Sequence, residues 1–381
     1  MARNSLIVLA VLYAAFVSLG LPDQAFGVAW PFMRQSFDLP LDRAGIVVSL
    51  GSIIGGAAGF ASGWFIRRWP TSQILIASAL LTASAMLGYG LAPGFAAVIA
   101  ATVVSGSGAG TIDAALNNYV AENYSSRHLI WLHGFYGIGA AAGPAIMSMA
   151  VAHGENWRAG YIAIALIQFM LAVVFMLTAG VWKKSENASH GHFATDRNYR
   201  LWSPAPLMVM GVFMIESTIC SCIGVWFYSL LVEERRISPG VAGMMSVLYW
   251  SSMTAGRFAL GFWAPRLSNR TILRCSLTGL PLGLLLLFAD NIYLTAAGLL
   301  IAGVSLSGLY PTLMHETPRR FGSEFAKVMT GYQAGASMAG AAVLFPLIGV
   351  WLDAAGLNLL PWILSALALT AYLFTAKVYK I

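Results

Sequence analysis

Twelve apolar runs, each of about 20 residues or more, follow one another through the 381 residues of this chain. They fall at roughly 6–32, 43–66, 71–91, 95–121, 129–151, 159–181, 204–231, 240–264, 270–289, 293–314, 324–350 and 358–377. A run of about 20 residues matches the hydrocarbon thickness of a bilayer when it is helical. In lipid, a spanning segment must satisfy its own backbone hydrogen bonds, which selects the α-helix. The composition agrees. Hydrophobic residues make up 58% of the chain and charged residues only 10%, against about 25% charged in ordinary soluble domains. The expected fold is an all-α membrane protein with twelve transmembrane helices.

Charge then orients the spans. Of the 22 Lys and Arg, 16 fall on one side, among them Arg3, Arg68, Arg127, Arg270, Arg319 and Lys377. Arg34, Arg43, Arg158, Arg235 and Arg236 are the 5 on the other side, and Arg257 lies inside a span. The side rich in Lys and Arg faces the cytoplasm, so both termini and the polar stretch between the sixth and seventh spans are expected there. The net charge of +7 is dispersed in short clusters between apolar runs, which argues against a nucleic-acid partner. Met1-Ala2-Arg3-Asn4 begins like a signal peptide, but the apolar run continues past residue 30 without a small-residue cleavage site. It is expected to remain as the first helix. Cys220, Cys222 and Cys275 lie inside apolar stretches with no metal spacing or disulfide framework.

The spans divide into two sets. Gly63-Trp64-Phe65-Ile66-Arg67-Arg68 ends the second, and Gly261-Phe262-Trp263-Ala264-Pro265-Arg266 ends the eighth, at an offset of 198 residues. Near that offset Gly27-Val28 returns as Gly224-Val225, and Gly137 as Gly335. Two pseudo-symmetric six-helix bundles follow, with expected boundaries at 1–182 and 204–381 and a cytoplasmic linker at 183–203.

The Gly-x-x-x-Asp-Arg pattern after the second and eighth spans is similar to the loop motif of the major facilitator superfamily. Arg67 and Pro265 stand at the Asp position, so the likeness does not extend to a gating salt bridge made by that Asp. Gly256-Arg257, Asn156-Trp157-Arg158 and Gly139-x-x-x-Gly143-Pro144 also resemble features of the superfamily. The likeness implies gating or structural roles for Gly63, Arg67, Arg68, Gly256, Arg257 and Arg266. Three short segments resemble the fucose:proton symporter and glucose/mannose permease branch: Gly108-Ala109-Gly110-Thr111-Ile112-Asp113, Ile215-Glu216-Ser217 and Gly308-Leu309-Tyr310-Pro311. That branch implies proton-coupled carriage of a monosaccharide.

The residues themselves support a carrier. Asp23, Asp113 and Glu216 each sit well inside a span. A charge at the bilayer centre costs roughly 2.5–3.5 kcal/mol on insertion scales, so these acids are expected to face a water-reached cavity and to couple transport to protons. Hydrogen-bonding inside the bundle is the bland alternative for each one singly. Gln24, Asn117, Asn118 and Gln333 offer amides that donate and accept together. Tyr136, Trp226, Tyr249 and Trp250 offer flat apolar walls for a sugar ring, although belt or packing roles are commoner for such aromatics. His133 is a candidate proton relay or gate. No metal or organic cofactor is required.

An exporter of drugs or metabolites on the same fold is the alternative, favoured by the likeness of Gly139-x-x-x-Gly143-Pro144 to the antiporter motif. Enzyme signatures are missing: helix four reads Gly-Ser-Gly-Ala-Gly-Thr-Ile-Asp, not Gly-x-Gly-Asp, and there is no His-Glu-x-x-His. The expectation is a monomeric carrier in a bacterial inner membrane. Alkaline phosphatase fused after residue 381 should be inactive in cells and a fluorescent protein fused there bright; the reverse pattern overturns the orientation.

Overall fold

The computed structural model describes residues 2–66, 68–124, 126–154, 156–180, 202–263 and 266–379. Among these, the side chains of 2–6, 118, 121–123, 126–127, 129–130, 323–324 and 327 are also outside the description. Arg67, Pro265 and the linker core expected between the halves therefore lie outside the described residues, as does the side chain of Asn118.

Helices account for nearly all of the rest. The first half contains α1 (Ala2–Ser36), α2 (Arg43–Ile66), α3 (Thr71–Gly90), α4 (Phe95–Asn123), α5 (Ser126–Ala152) and α6 (Trp157–Thr178). The second contains α7 (Pro204–Ser229), α8 (Pro239–Trp263), α9 (Asn269–Leu286), α10 (Ile292–Phe321), α11 (Ser323–Ala339), α12 (Phe345–Ala355) and α13 (Leu360–Tyr379). Ten stretches of the described residues are long and apolar enough to cross a membrane. α8 and α9 complete the twelve by packing against α10; α9 carries Arg270 and Arg274 in its first two turns.

Two expected boundaries moved for local reasons. The eleventh span is broken by a π-turn at Gly340–Leu344, so α11 and α12 are one span with a wide turn inside it. Pro346, in the first turn of α12, has no N–H to offer the preceding turn. The tenth span runs on through His315, Glu316, Arg319 and Arg320 to Phe321, where Gly322 at φ 86° ends it. Those charged residues lie past the apolar run, and a helix does not need lipid to continue.

The two halves meet most closely where the repeat places matching residues. A Cβ on Gly27 of α1 would collide with the backbone of Gly224 and Val225 on α7. The paired glycines are thus the point where α1 and α7 cross, near the axis relating the halves. Beyond that crossing, one end of the molecule is shut. Arg34 of α1 grips Glu233 through two contacts, one of them Nε to Oε1 at 3.2 Å. The Leu41 amide donates to Asp353 Oδ1 at 2.8 Å, and Ser49 Oγ donates to the Ala342 carbonyl at 2.7 Å. Gly45 lets α2 pass against Pro346.

The end that carries the chain termini differs. Among the described residues, nothing lies within 4 Å of where a Cβ on Gly331 or Gly335 of α11 would sit. α5 and α8, in contrast, pack along their whole length, from Ala152 on Gly240 through Thr254 on Gly137 to Phe258 on Gly134. The repeat makes α5–α8 and α11–α2 equivalent seams, so one seam is closed throughout and the other only at the shut end. A side chain at Gly27 should therefore be costly and one at Gly331 harmless. Gly27→Val is expected to destabilise by about 1–3 kcal/mol, and Gly331→Ala to be neutral or slightly stabilising, read as thermal unfolding in detergent.

Candidate functional site

The candidate polar residues come from α1, α4, α5, α7, α8 and α10, and they lie within electrostatic range of one another where the halves face each other. Asp23 sits one turn before the Gly27 crossing on α1 and is exposed. Tyr136 of α5 donates its hydroxyl to Asp23 Oδ2 at 3.0 Å, and Gln24 Nε2 donates to the same hydroxyl at 3.4 Å. α5 can bring Tyr136 this close because Gly139 and Gly143 press onto the α1 backbone at Val17 and Leu21. The glycines of the helix-five motif thus serve close packing, and the packing positions the tyrosine.

Asp113 of α4 is exposed as well. Asn117, one turn on, donates Nδ2 to Asp113 Oδ1 at 3.0 Å. Gly106 and Gly110 let α4 lie against Gly51 and Gly55 of α2. Asp113 and Asp23 act on each other electrostatically. His133 is also exposed, with Phe16 edge-on at 5.7 Å.

The second half supplies Glu216, which is 7% exposed, with Cys220 Sγ donating to its Oε1 at 3.6 Å. The Arg257 guanidinium on α8 acts electrostatically on Glu216, His133, Tyr136, Tyr249 and Tyr310. Arg257, expected to gate or to pack, thus lies within electrostatic range of the candidate site residues. Its neighbour Gly256 does the packing, against Ser307 and Val304 of α10. Tyr310, edge-on to Phe213 at 4.9 Å and under the influence of both Glu216 and Asp113, was not singled out from sequence as a site residue. Its signal was a polar hydroxyl inside an otherwise apolar run, within Gly308-Leu309-Tyr310-Pro311.

Other sequence candidates lie elsewhere. Trp226 is fully buried and stacked on Phe345 at 5.0 Å, part of the shut end. Gln333 is fully buried too, with its amide exchanging hydrogen bonds with Thr317 Oγ1 at 2.8 and 3.1 Å. Helical periodicity put it on a polar face, but α10 already occupies that face. Tyr249 and Trp250, edge-on at 4.9 Å, are buried beside a small cavity shared with Ile223, Phe227, Met245, Ser246 and Leu299. Trp250 nonetheless reaches the Gly224 crossing, as Gln24 does from the other half. In the loop motifs, Gly63 is in the last turns of α2, Arg68 lies over the Trp64 ring at 4.0 Å, and exposed Arg266 donates to the Phe262 carbonyl at 3.4 Å. Among the described residues no cluster of His, Cys, Asp or Glu has the makings of a metal site.

The arrangement brings exposed Asp23 and Asp113, buried Glu216, amides, phenols and one guanidinium into one neighbourhood. It offers hydrogen-bond donors and acceptors to a polar solute and carboxyls that can exchange protons with water. A family model of the Major Facilitator Superfamily matches residues 9–228 and 207–380. The chain belongs to that superfamily. It is a multi-pass membrane transporter rather than an enzyme. It is 22% identical over 352 residues to the glucose/mannose transporter GlcP of Bacillus subtilis (strain 168), covering 88% of this chain and 86% of that protein. A hexuronate transporter of the same organism is 22% identical over 285 residues, covering 71% of this chain and 67% of that protein. The crystal structure of a D-xylose-proton symporter superposes with a TM-score of 0.79 at 12% identity, covering 98% of each chain, a likeness of fold.

The two amides should separate cleanly in experiment. Gln333→Ala removes a buried amide's hydrogen bonds with Thr317 and is expected to cost about 1–3 kcal/mol of stability with little change in substrate affinity. Asn117→Ala should do the reverse, weakening affinity about tenfold. Thermal unfolding and substrate titration of the two variants check this.

Proposed function

We propose that this transporter takes up a hexose-like monosaccharide together with protons, by alternating access of its two halves. The observation that carries the reading is that Asp23 and Asp113 of the first half lie within electrostatic range of each other, and that Tyr310 of the second half lies within range of both Asp113 and Glu216. A charge inside a span is expensive and is kept for a task. The names of its relatives, carriers of glucose and mannose, of hexuronate, and of D-xylose with a proton, point the same way. Binding near the midplane between repeat-related halves suits rocking about the α1–α7 crossing.

In this reading Asp23, Asp113 and Glu216 couple the proton. Gln24, Asn117, Asn118, His133, Tyr136, Tyr249 and Trp250 serve the sugar, while Trp226 and Gln333 support the bundle. The halves divide at residues 182 and 204, with 183–203 as the linker. The protein works as a monomer in a bacterial inner membrane, with both termini in the cytoplasm, so the cleft is open inward. The carboxyls are neutral when sugar and proton travel together and release protons on the cytoplasmic side.

The test is uptake in proteoliposomes with a pH-sensitive dye. Addition of the transported monosaccharide should raise the external pH, and a proton gradient should drive accumulation. Asp113→Asn and Glu216→Gln should abolish accumulation while leaving sugar exchange. Wild-type accumulation in both variants, or extrusion of drugs with no response to any monosaccharide, rules the reading out.

A further inference from the structure

Arg257 is a cation in no ion pair among the described residues. It lies six residues before the end of α8, inside an expected membrane span where an ionised side chain needs a partner. Ion pairs among the described residues are Arg34–Glu233, Arg43–Asp42 and Arg319–Glu316, and Arg257 is in none of them. No hydrogen bond to its guanidinium occurs among the described residues either. The side chain is half-buried, so part of it is still accessible.

Its surroundings define what is missing. The groups acting on Arg257 are Glu216 and Cys220 from α7, His133 and Tyr136 from α5, Tyr249 from its own helix and Tyr310 from α10. Glu216 is the one acid in that set, and its carboxylate is held apart, touched by Cys220 instead. Phenols and an imidazole supply hydrogen bonds but no negative charge. A guanidinium fork matches a carboxylate in bidentate geometry better than it matches any neutral hydroxyl.

We propose that Arg257 receives a carboxylate of the substrate, and that the solute carried is a sugar acid, an aldohexuronate or aldonate, rather than a neutral hexose. This rests on the reading of the cleft as a monosaccharide site and narrows it. The sugar's hydroxyls would then lie toward Asn117, Gln24 and Tyr136, and its acid toward α8. The acids of the first half give this a consequence. Asp23 and Asp113 act on each other across the same cleft, and an anion entering beside them is repelled until protons neutralise them. Binding of the acid and binding of protons are therefore linked by simple electrostatics.

The experiment is titration of the purified full-length protein with D-glucose, D-glucuronate and D-gluconate, followed by tryptophan fluorescence and by counterflow in proteoliposomes. Either acid is expected to bind at least about 30-fold more tightly than glucose. Arg257→Gln should remove that preference, and Arg257→Lys should retain part of it, with folding of both variants checked by thermal unfolding. Glucose binding as tightly as the acids, or an acid preference unchanged in Arg257→Gln, overturns the inference and leaves the monosaccharide reading standing. Binding of none of the three probes overturns both.

Discussion

An ionised side chain at the bilayer centre costs several times the thermal energy, and a backbone polar group left open there costs as much. This chain places Asp23, Asp113, Glu216 and Arg257 inside its spans. Helices satisfy the backbone, but they do not satisfy the charges. The helices that bear them bring these groups within electrostatic range of one another. The small residues at helix crossings serve that approach.

The crossings show how close packing serves the cleft. Gly27 and Gly224 allow α1 and α7 to touch where the halves are related. Gly139 and Gly143 bring α5 onto α1 and so put Tyr136 beside Asp23. Arg34 and Glu233 then fasten the far end, helped by hydrogen bonds from Leu41 and Ser49. The repeat predicts two equal seams between the halves, yet α5–α8 is packed throughout while α11 stands away from α2 below Met338. One seam is therefore closed along its length and the other open at the end that carries the chain termini.

Much of this was legible in the sequence because lipid simplifies the problem. Length and hydropathy located the helices, ten of them long and apolar enough to span among the described residues, and the 198-residue echo pointed to two halves. The three acids stood out because charge is so rare in such runs. What sequence reasoning misplaced depended on neighbours. Gln333 and Trp226 have side chains suited to a sugar site, but Thr317 and Phe345 had already claimed them. Arg257 sat in a packing motif, and only the geometry separated it from Gly256, which does the packing. Periodicity tells which residues share a helix face; it does not tell which helix covers that face. The π-turn before Pro346 was missed for a related reason, since hydropathy does not register a missing N–H.

The central claim is that the two ends of the cleft open in turn about the α1–α7 crossing. Pulsed electron-electron distance measurements between spin labels test it most directly. One pair would be at Phe60 and Tyr332, both exposed at the open end. The other would be at Arg43 and Asn358, both exposed at the shut end. With substrate and protons present, the account predicts that the first distance shortens as the second lengthens. Two distances that move together, or neither moving while transport proceeds, would contradict it.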